Sequence, residues 1–121
     1  MSDYSRELAK IEQTFLGYQD HGHLTAVLRV SCGAVSQSVG GYSLDEYDAA
    51  AGLRVGTVRA AEFIGRTVKA CGADSWEQLR GRTIYVLIDG TDGVAVGIEN
   101  LPTEPGERFI FADVFGKPGA P

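Results

Sequence analysis

Between residues 24 and 32, Leu24, Ala26, Leu28, Val30 and Cys32 alternate with Thr25, Val27, Arg29 and Ser31. That period of two is the pattern of a strand with one face on a core and the other toward water. The segment before it, residues 9–18, also reads as a strand, with Ile11, Gln13, Phe15 and Gly17 interleaved with Glu12, Thr14, Leu16 and Tyr18. Between the two lies Gln19-Asp20-His21-Gly22-His23, a turn in which Gly22 can take a positive φ. The two segments therefore predict an antiparallel hairpin.

Gly33 to Gln37 reads as a small-residue loop, and Ser38 to Leu44 as a third strand containing the pair Gly40-Gly41. Glycine within a strand marks a bulge, a sharp twist or the close approach of another backbone. Residues 44–52 read as an exposed connection. From Arg54 to Cys71 the period changes: Ala60, Ala61, Ile64, Val68 and Cys71 recur three or four apart, with Arg59, Glu62, Arg66 and Lys69 on the other side. That is an amphipathic helix. Gly72 is placed to end it in a left-handed cap, and Gly65 is a defect that would let it lie close to the sheet. Ser75-Trp76-Glu77-Gln78 matches a capping box and predicts a short second helix pinned by Trp76 and Leu79. Thr83–Ile88 and Val94–Glu99 read as strands joined by the turn Asp89-Gly90-Thr91-Asp92-Gly93. After the loop 101–106, Arg108–Phe115 reads as a final strand, with residues 116–121 as a loose tail. The expected architecture is α+β: one domain over residues 1–115, an antiparallel sheet with one main helix and a short second helix packed on it.

Composition narrows the function classes. A chain of 121 residues with 44% hydrophobic and 22% charged residues is ordinary globular material for a single domain. Its net charge of -5 argues against duplex nucleic acid, which is held through neutralised phosphates. A local basic patch (Arg54, Arg59, Arg66, Lys69) and the pair Arg80 and Arg82 run against the overall sign. No stretch approaches the roughly 20 apolar residues that cross a bilayer, and the polar start Met1–Glu7 has no signal-peptide core. These features place the protein in the cytoplasm. Cys32 and Cys71 lie outside any CxxC spacing and read as buried small hydrophobes rather than a disulfide.

Candidate chemistry is sparse. Asp20, His21 and His23 could offer oxygen and imidazole ligands, but zinc takes three or four and the chain has no further histidine. Asp89–Gly93 opens like a calcium loop and then fails, with Val94 where glycine is required. No GxSxG turn or activated thiol is evident. The segment Gln37-Ser38-Val39-Gly40-Gly41-Tyr42 is not a phosphate loop. It offers bare backbone at Gly40 and Gly41, an amide at Gln37 and a phenol at Tyr42, which suit a flat or polar ligand or a partner's backbone. Asp20, His21, Gln37, Gly40, Gly41 and Tyr42 are thus the candidate binding residues. No catalytic residue and no metal site are assigned, and no cofactor is called for.

Ile11-Glu12 through Phe15-Leu16-Gly17, then Asp20-His21-Gly22-x-Leu24-Thr25, then Gln37-x-x-Gly40-Gly41-Tyr42-x-Leu44-Asp45, form a pattern. With Glu62-Phe63-Ile64 and Ser75-Trp76-Glu77-x-Leu79-x-Gly81, it resembles a family of small bacteriophage and prophage proteins. The resemblance covers roughly residues 10–98. Where that family has glycines and an aromatic after the second strand, this chain has Ala34-Val35-Ser36 and Ser38-Val39. The resemblance implies an accessory protein of the host bacterial cytoplasm. It would bind a host protein complex or a small nucleotide, as an anti-CRISPR-like inhibitor or by sequestering a nucleotide signal. The alternatives are a small metal-dependent hydrolase using Asp20, His21 and His23, and a virion component. An open sheet edge at the last strand would allow a homodimer.

Overall fold

A computed structural model describes residues 4–19, 22–89, 95–101 and 107–116. Its order is β1 (Tyr4–Gln19), β2 (His23–Cys32), β3 (Val35–Ser43), β4 (Asp45–Asp48), β5 (Leu53–Gly56), α1 (Val58–Ala70), a 3₁₀ turn (Trp76–Gln78), β6 (Thr83–Asp89), β7 (Ala95–Glu99), β8 (Arg108–Ile110) and α2 (Ala112–Phe115). Six strands form one antiparallel sheet in the order β3-β2-β1-β6-β7-β8, and β4 and β5 form a separate ribbon. The α+β expectation holds in coarse form, with β structure dominant. No helix among the described residues is long and apolar enough to cross a membrane.

The long first strand organises the sheet. Tyr4–Lys10 pair with β6, whereas Lys10–Gln19 pair with β2. Between the halves the register slips, with Ile11 opposite Val30 and Gln13 opposite Arg29, so Glu12 is an extra residue in a β-bulge. One inserted residue exchanges the two faces for everything beyond it. That is why β1 lacks a single clean alternation in sequence. Ala9 and Ile11 are buried before the bulge, and odd-numbered Gln13 is exposed after it.

Several predicted features take the expected form. The β1–β2 hairpin is present, and Gly22 has φ 88°. At the start of the expected helix stands a cap that was not expected: Thr57 Oγ1 accepts from the Ala60 N–H at 3.3 Å. The helix ends in a Schellman arrangement: the Gly72 N–H donates to the Lys69 carbonyl at 3.0 Å and the Ala73 N–H to the Val68 carbonyl at 3.0 Å, with Gly72 at φ 69°.

Other expectations need correction. The helix begins at Val58, not Arg54, because Leu53–Gly56 pair with Asp45–Asp48 in a ribbon that the connection 44–52 concealed. Its buried stripe is Ala60, Phe63, Thr67 and Ala70, and Ala61 is exposed. Gly65 is no close-approach residue, since a Cβ there would meet nothing within 4 Å. The capping box does not form as expected. Ser75 makes no side-chain cap bond, and Gln78 Oε1 accepts instead from the Asp74 N–H at 2.7 Å. Leu79 is fully buried and Trp76 packs at the core's margin. The third strand starts at Val35, since Gly33 at φ 67° closes a two-residue turn with Ala34. The final strand stops at Ile110, where the chain turns into α2.

Phe63 of α1 is the hub of the core. Its ring centroid lies 5.8 Å from both Phe109 and Phe111 and 5.7 Å from Phe115. Tyr42 of β3 stacks on Phe115 at 4.2 Å with an 8° interplanar angle. Rings from both edge strands and from α2 therefore meet around one helical side chain. Offset and edge-on aromatic pairs of this kind add about 0.5–1.5 kcal/mol each beyond their buried area.

Candidate functional site

The Gly40-Gly41 pair is a bulge with two different constraints. Thr25 lies opposite Ser43 and Val27 opposite Gly40, so β3 spends one more residue than β2 over the same span. Gly40 has φ 97° and Gly41 φ 85°, both in territory that favours glycine. At Gly40 a Cβ would also stand 2.9 Å from the Ala26 carbonyl oxygen and 3.1 Å from the Phe63 ring. At Gly41 the nearest atom would be Val27 Cγ2 at 3.8 Å. Thr25 Oγ1 donates to the Tyr42 carbonyl at 2.8 Å and fixes the strand just past the bulge.

The bulge sends the sequence-predicted residues to separate places. The Gln37 amide donates to Cys32 Sγ at 3.5 Å, beside a shallow cavity of about 500 Å³ lined by Glu7, Leu8, Cys32, Val35, Gln37 and Ile88. Tyr42 turns into the aromatic cluster, where burial raises its phenol above the usual tyrosine range. Gly40 and Gly41 stay together and border a different cavity. Asp20 and His21 lie outside the described residues. His23 is described, and its Nδ1 sits 3.2 Å from the Arg54 guanidinium. Among the described residues no three His, Cys, Asp or Glu side chains gather as a metal-ligand set.

The cavity at the glycine pair is a trough of about 500 Å³ on the outer face of β1, β2 and β3. Pairing places its residues in two rows across the strands. Gln13 faces Arg29, which faces Ser38; Phe15 faces Val27, which faces Gly40. Directly opposed residues of an antiparallel pair share a face. Thr14, Gln19 and Gly41 complete the border. Phe15 folds back along its own strand, and a Cβ on Gly17 would lie 3.2 Å from the ring. Arg29 Nη1 donates to Ser38 Oγ at 3.3 Å and, among the described residues, has no carboxylate partner. The trough thus combines an aromatic face, a cation without a counter-ion, two side-chain amides and glycine backbone. The alternation Gln13-x-Phe15-x-Gly17-x-Gln19 was a signal for it, but placing those residues beside Arg29 required knowing of the bulge at Glu12.

Several other polar groups have structural partners. Arg54 grips the buried Asp45 through Nε–Oδ2 at 3.1 Å and Nη2–Oδ1 at 2.8 Å, which holds that carboxyl below the usual aspartate range. Asp48 Oδ1 accepts from the N–H groups of Ala50 and Ala51 in the β4–β5 turn. Arg66 pairs with Glu62, and Arg82 Nε donates to the Cys71 carbonyl, so with Arg54 held by Asp45 three of the basic residues singled out from sequence are engaged locally. Burial pushes the Cys71 thiol up to about 12, partly opposed by the nearby Arg82 charge. Compared with protein-family models, with curated proteins and with solved structures, the chain matches none.

Proposed function

We propose that this protein is a non-enzymatic binding protein whose ligand is a small nucleotide held in the outer trough of β1, β2 and β3. The observation that carries this reading is Arg29, a cation without a carboxylate partner among the described residues, beside the Phe15 ring in a recess of about 500 Å³. That volume falls in the range of small-molecule sites. A nucleobase has a flat π-face for Phe15 and polar edges for the Gln13 and Gln19 amides. Its phosphate matches the Arg29 guanidinium and the open backbone at Gly41. The phage-like pattern would place this activity in a bacterial host's cytoplasm, where sequestering a signalling nucleotide disarms a defence. Buried Cys71, with its thiol pushed up to about 12, is a poor nucleophile and lends no support to thiol catalysis.

The test is calorimetric titration with a panel of linear and cyclic mono- and dinucleotides. Saturable binding of one ligand per chain is expected for at least one of them. Arg29→Ala should weaken it by about 10- to 100-fold, the worth of a hydrogen bond to a charged group. No saturation up to about 1 mM, or an Arg29→Ala variant that binds like the parent, rules the trough out. A host protein recovered at stoichiometric level from lysate by nucleotide-free protein would favour the docking of a protein complex instead.

A further inference from the structure

The second half of β1 has an edge that no described strand covers. Its partner on one side is β2, but β6 stops at Thr83, opposite Lys10. Beyond the bulge, Gln13 to Gln19 run on with one edge unpaired among the described residues. Single-chain proteins protect such an edge with lysine, proline or inward-pointing charge. Gln13-Thr14-Phe15-Leu16-Gly17-Tyr18-Gln19 has none of these, being a neutral run bounded by Glu12 and Asp20. It also carries three of the chain's exposed large apolar side chains, with Phe15 37%, Leu16 41% and Tyr18 69% exposed.

We propose that this edge pairs antiparallel with the same edge of a second copy, around a two-fold axis at Leu16. The backbone parity fits. Cys32 and Val35 flank a two-residue turn and so form a doubly hydrogen-bonded pair. Counting back along β2, its even-numbered residues bond to β3 and its odd-numbered ones to β1. Gln13, Phe15, Gly17 and Gln19 therefore bond inward to Arg29, Val27, Thr25 and His23. Thr14, Leu16 and Tyr18 are left with N–H and C=O aimed at the open edge. Centring the axis on Leu16 makes these three the hydrogen-bonding residues of both copies, with Leu16 on Leu16 and Thr14 on Tyr18.

The intervening pairs are also complementary. Phe15 falls opposite the partner's Gly17, so the two Phe15 rings, each lying over its own Gly17, come side by side across the axis, and Gln13 falls opposite the partner's Gln19. A second copy suits the edge better than a charged partner would, because the run is neutral while the chain carries a net charge of -5. An isologous contact of this kind closes on itself as a dimer and leaves neither copy of this edge open. Gln13, Thr14, Phe15 and Gln19 belong to both the edge and the trough, but Leu16 lies opposite core residue Ala26, on the face away from the trough, so a change there tests the dimer apart from the nucleotide reading.

Sedimentation velocity on the full chain from about 5 to 500 µM should show monomer giving way to dimer, with a Kd of tens of micromolar, as for an interface at the small end of the size range. Leu16→Lys sets two like charges against each other at the axis and should keep the chain monomeric throughout. Tyr47→Lys, at an exposed apolar residue of β4, should leave the equilibrium unchanged; an unchanged urea midpoint in each variant shows that it is folded. The register is read from disulfide formation. Gln13→Cys mixed with Gln19→Cys should cross-link, and neither variant should cross-link with itself through the new thiol. A wild-type chain that stays monomeric at 500 µM, a Leu16→Lys variant that dimerises normally, or self-linking of Gln13→Cys would each overturn the proposal.

Discussion

Replacing each glycine of the bulge in turn separates backbone strain from crowding. Gly40 and Gly41 both have positive φ, at 97° and 85°, so an alanine at either site carries a strain of about 1–3 kcal/mol. Against this, alanine stiffens the unfolded chain and returns about 0.4–1 kcal/mol. At Gly41 nothing else opposes the change, because the nearest atom would be Val27 Cγ2 at 3.8 Å. Gly41→Ala should therefore cost about 0.5–2 kcal/mol. At Gly40 the added carbon would stand 2.9 Å from the Ala26 carbonyl and 3.1 Å from the Phe63 ring. The carbonyl belongs to the neighbouring strand and the ring to the hub of the aromatic cluster, so neither yields freely. Overpacking adds about 1–3 kcal/mol, bringing Gly40→Ala to about 2–5 kcal/mol. In urea unfolding, with a slope of about 1.5 kcal/mol per M, the two midpoints should differ by about 1 M or more. The reasoning fails if the two variants unfold at the same urea concentration, or if Gly41→Ala is the less stable. A Gly41→Ala variant that stays folded while nucleotide binding weakens would assign Gly41 to the ligand and Gly40 to the fold.

Two further outcomes follow from groups with defined surroundings. In native protein a thiol reagent should modify Cys32, which is partly exposed, and leave the buried Cys71 unreacted until denaturant is added; rapid native labelling of both would contradict the packing around Cys71. Asp45 has its folded pKa depressed by Arg54, so the stability it contributes is present above the ordinary carboxylate range and lost as pH falls through the folded value. Glu99 adds to the same window: burial pushes it up, but Arg6 and Arg108 together outweigh that and leave it lowered. The thermal midpoint should accordingly fall on acidification below about pH 4, and more shallowly in Asp45→Asn. An Asp45→Asn variant with the parent's acid slope would remove the pair from the account.

What the sequence disclosed was governed by local rules. The β2 alternation and the glycine after α1 each report a nearby backbone geometry, and each was realised. The bulge at Glu12 was hidden because one extra residue exchanges faces without leaving a compositional mark, and it carried Gln13 and Phe15 onto the outer face beside Arg29 and Val27. Phe111 and Phe115 read as strand residues because aromatic side chains favour strands, yet tertiary packing around Phe63 draws the chain into a helical turn. Four of the six candidate binding residues came from one segment, Gln37–Tyr42, whereas strand side chains alternate and the bulge at Gly40-Gly41 resets that alternation before Tyr42. Gln37 and Tyr42 therefore could not share a surface with the outer trough that Gly40 and Gly41 border.

Amide chemical-shift mapping during titration with the tightest nucleotide of the panel tests the assignment of the ligand to its recess. Gln13, Phe15, Val27, Arg29 and Gly41 should move together and saturate together, while Glu7, Cys32, Gln37 and Phe109 stay in place. Shifts concentrated at Glu7, Cys32 and Gln37, or none at Arg29 and Gly41, would contradict the account.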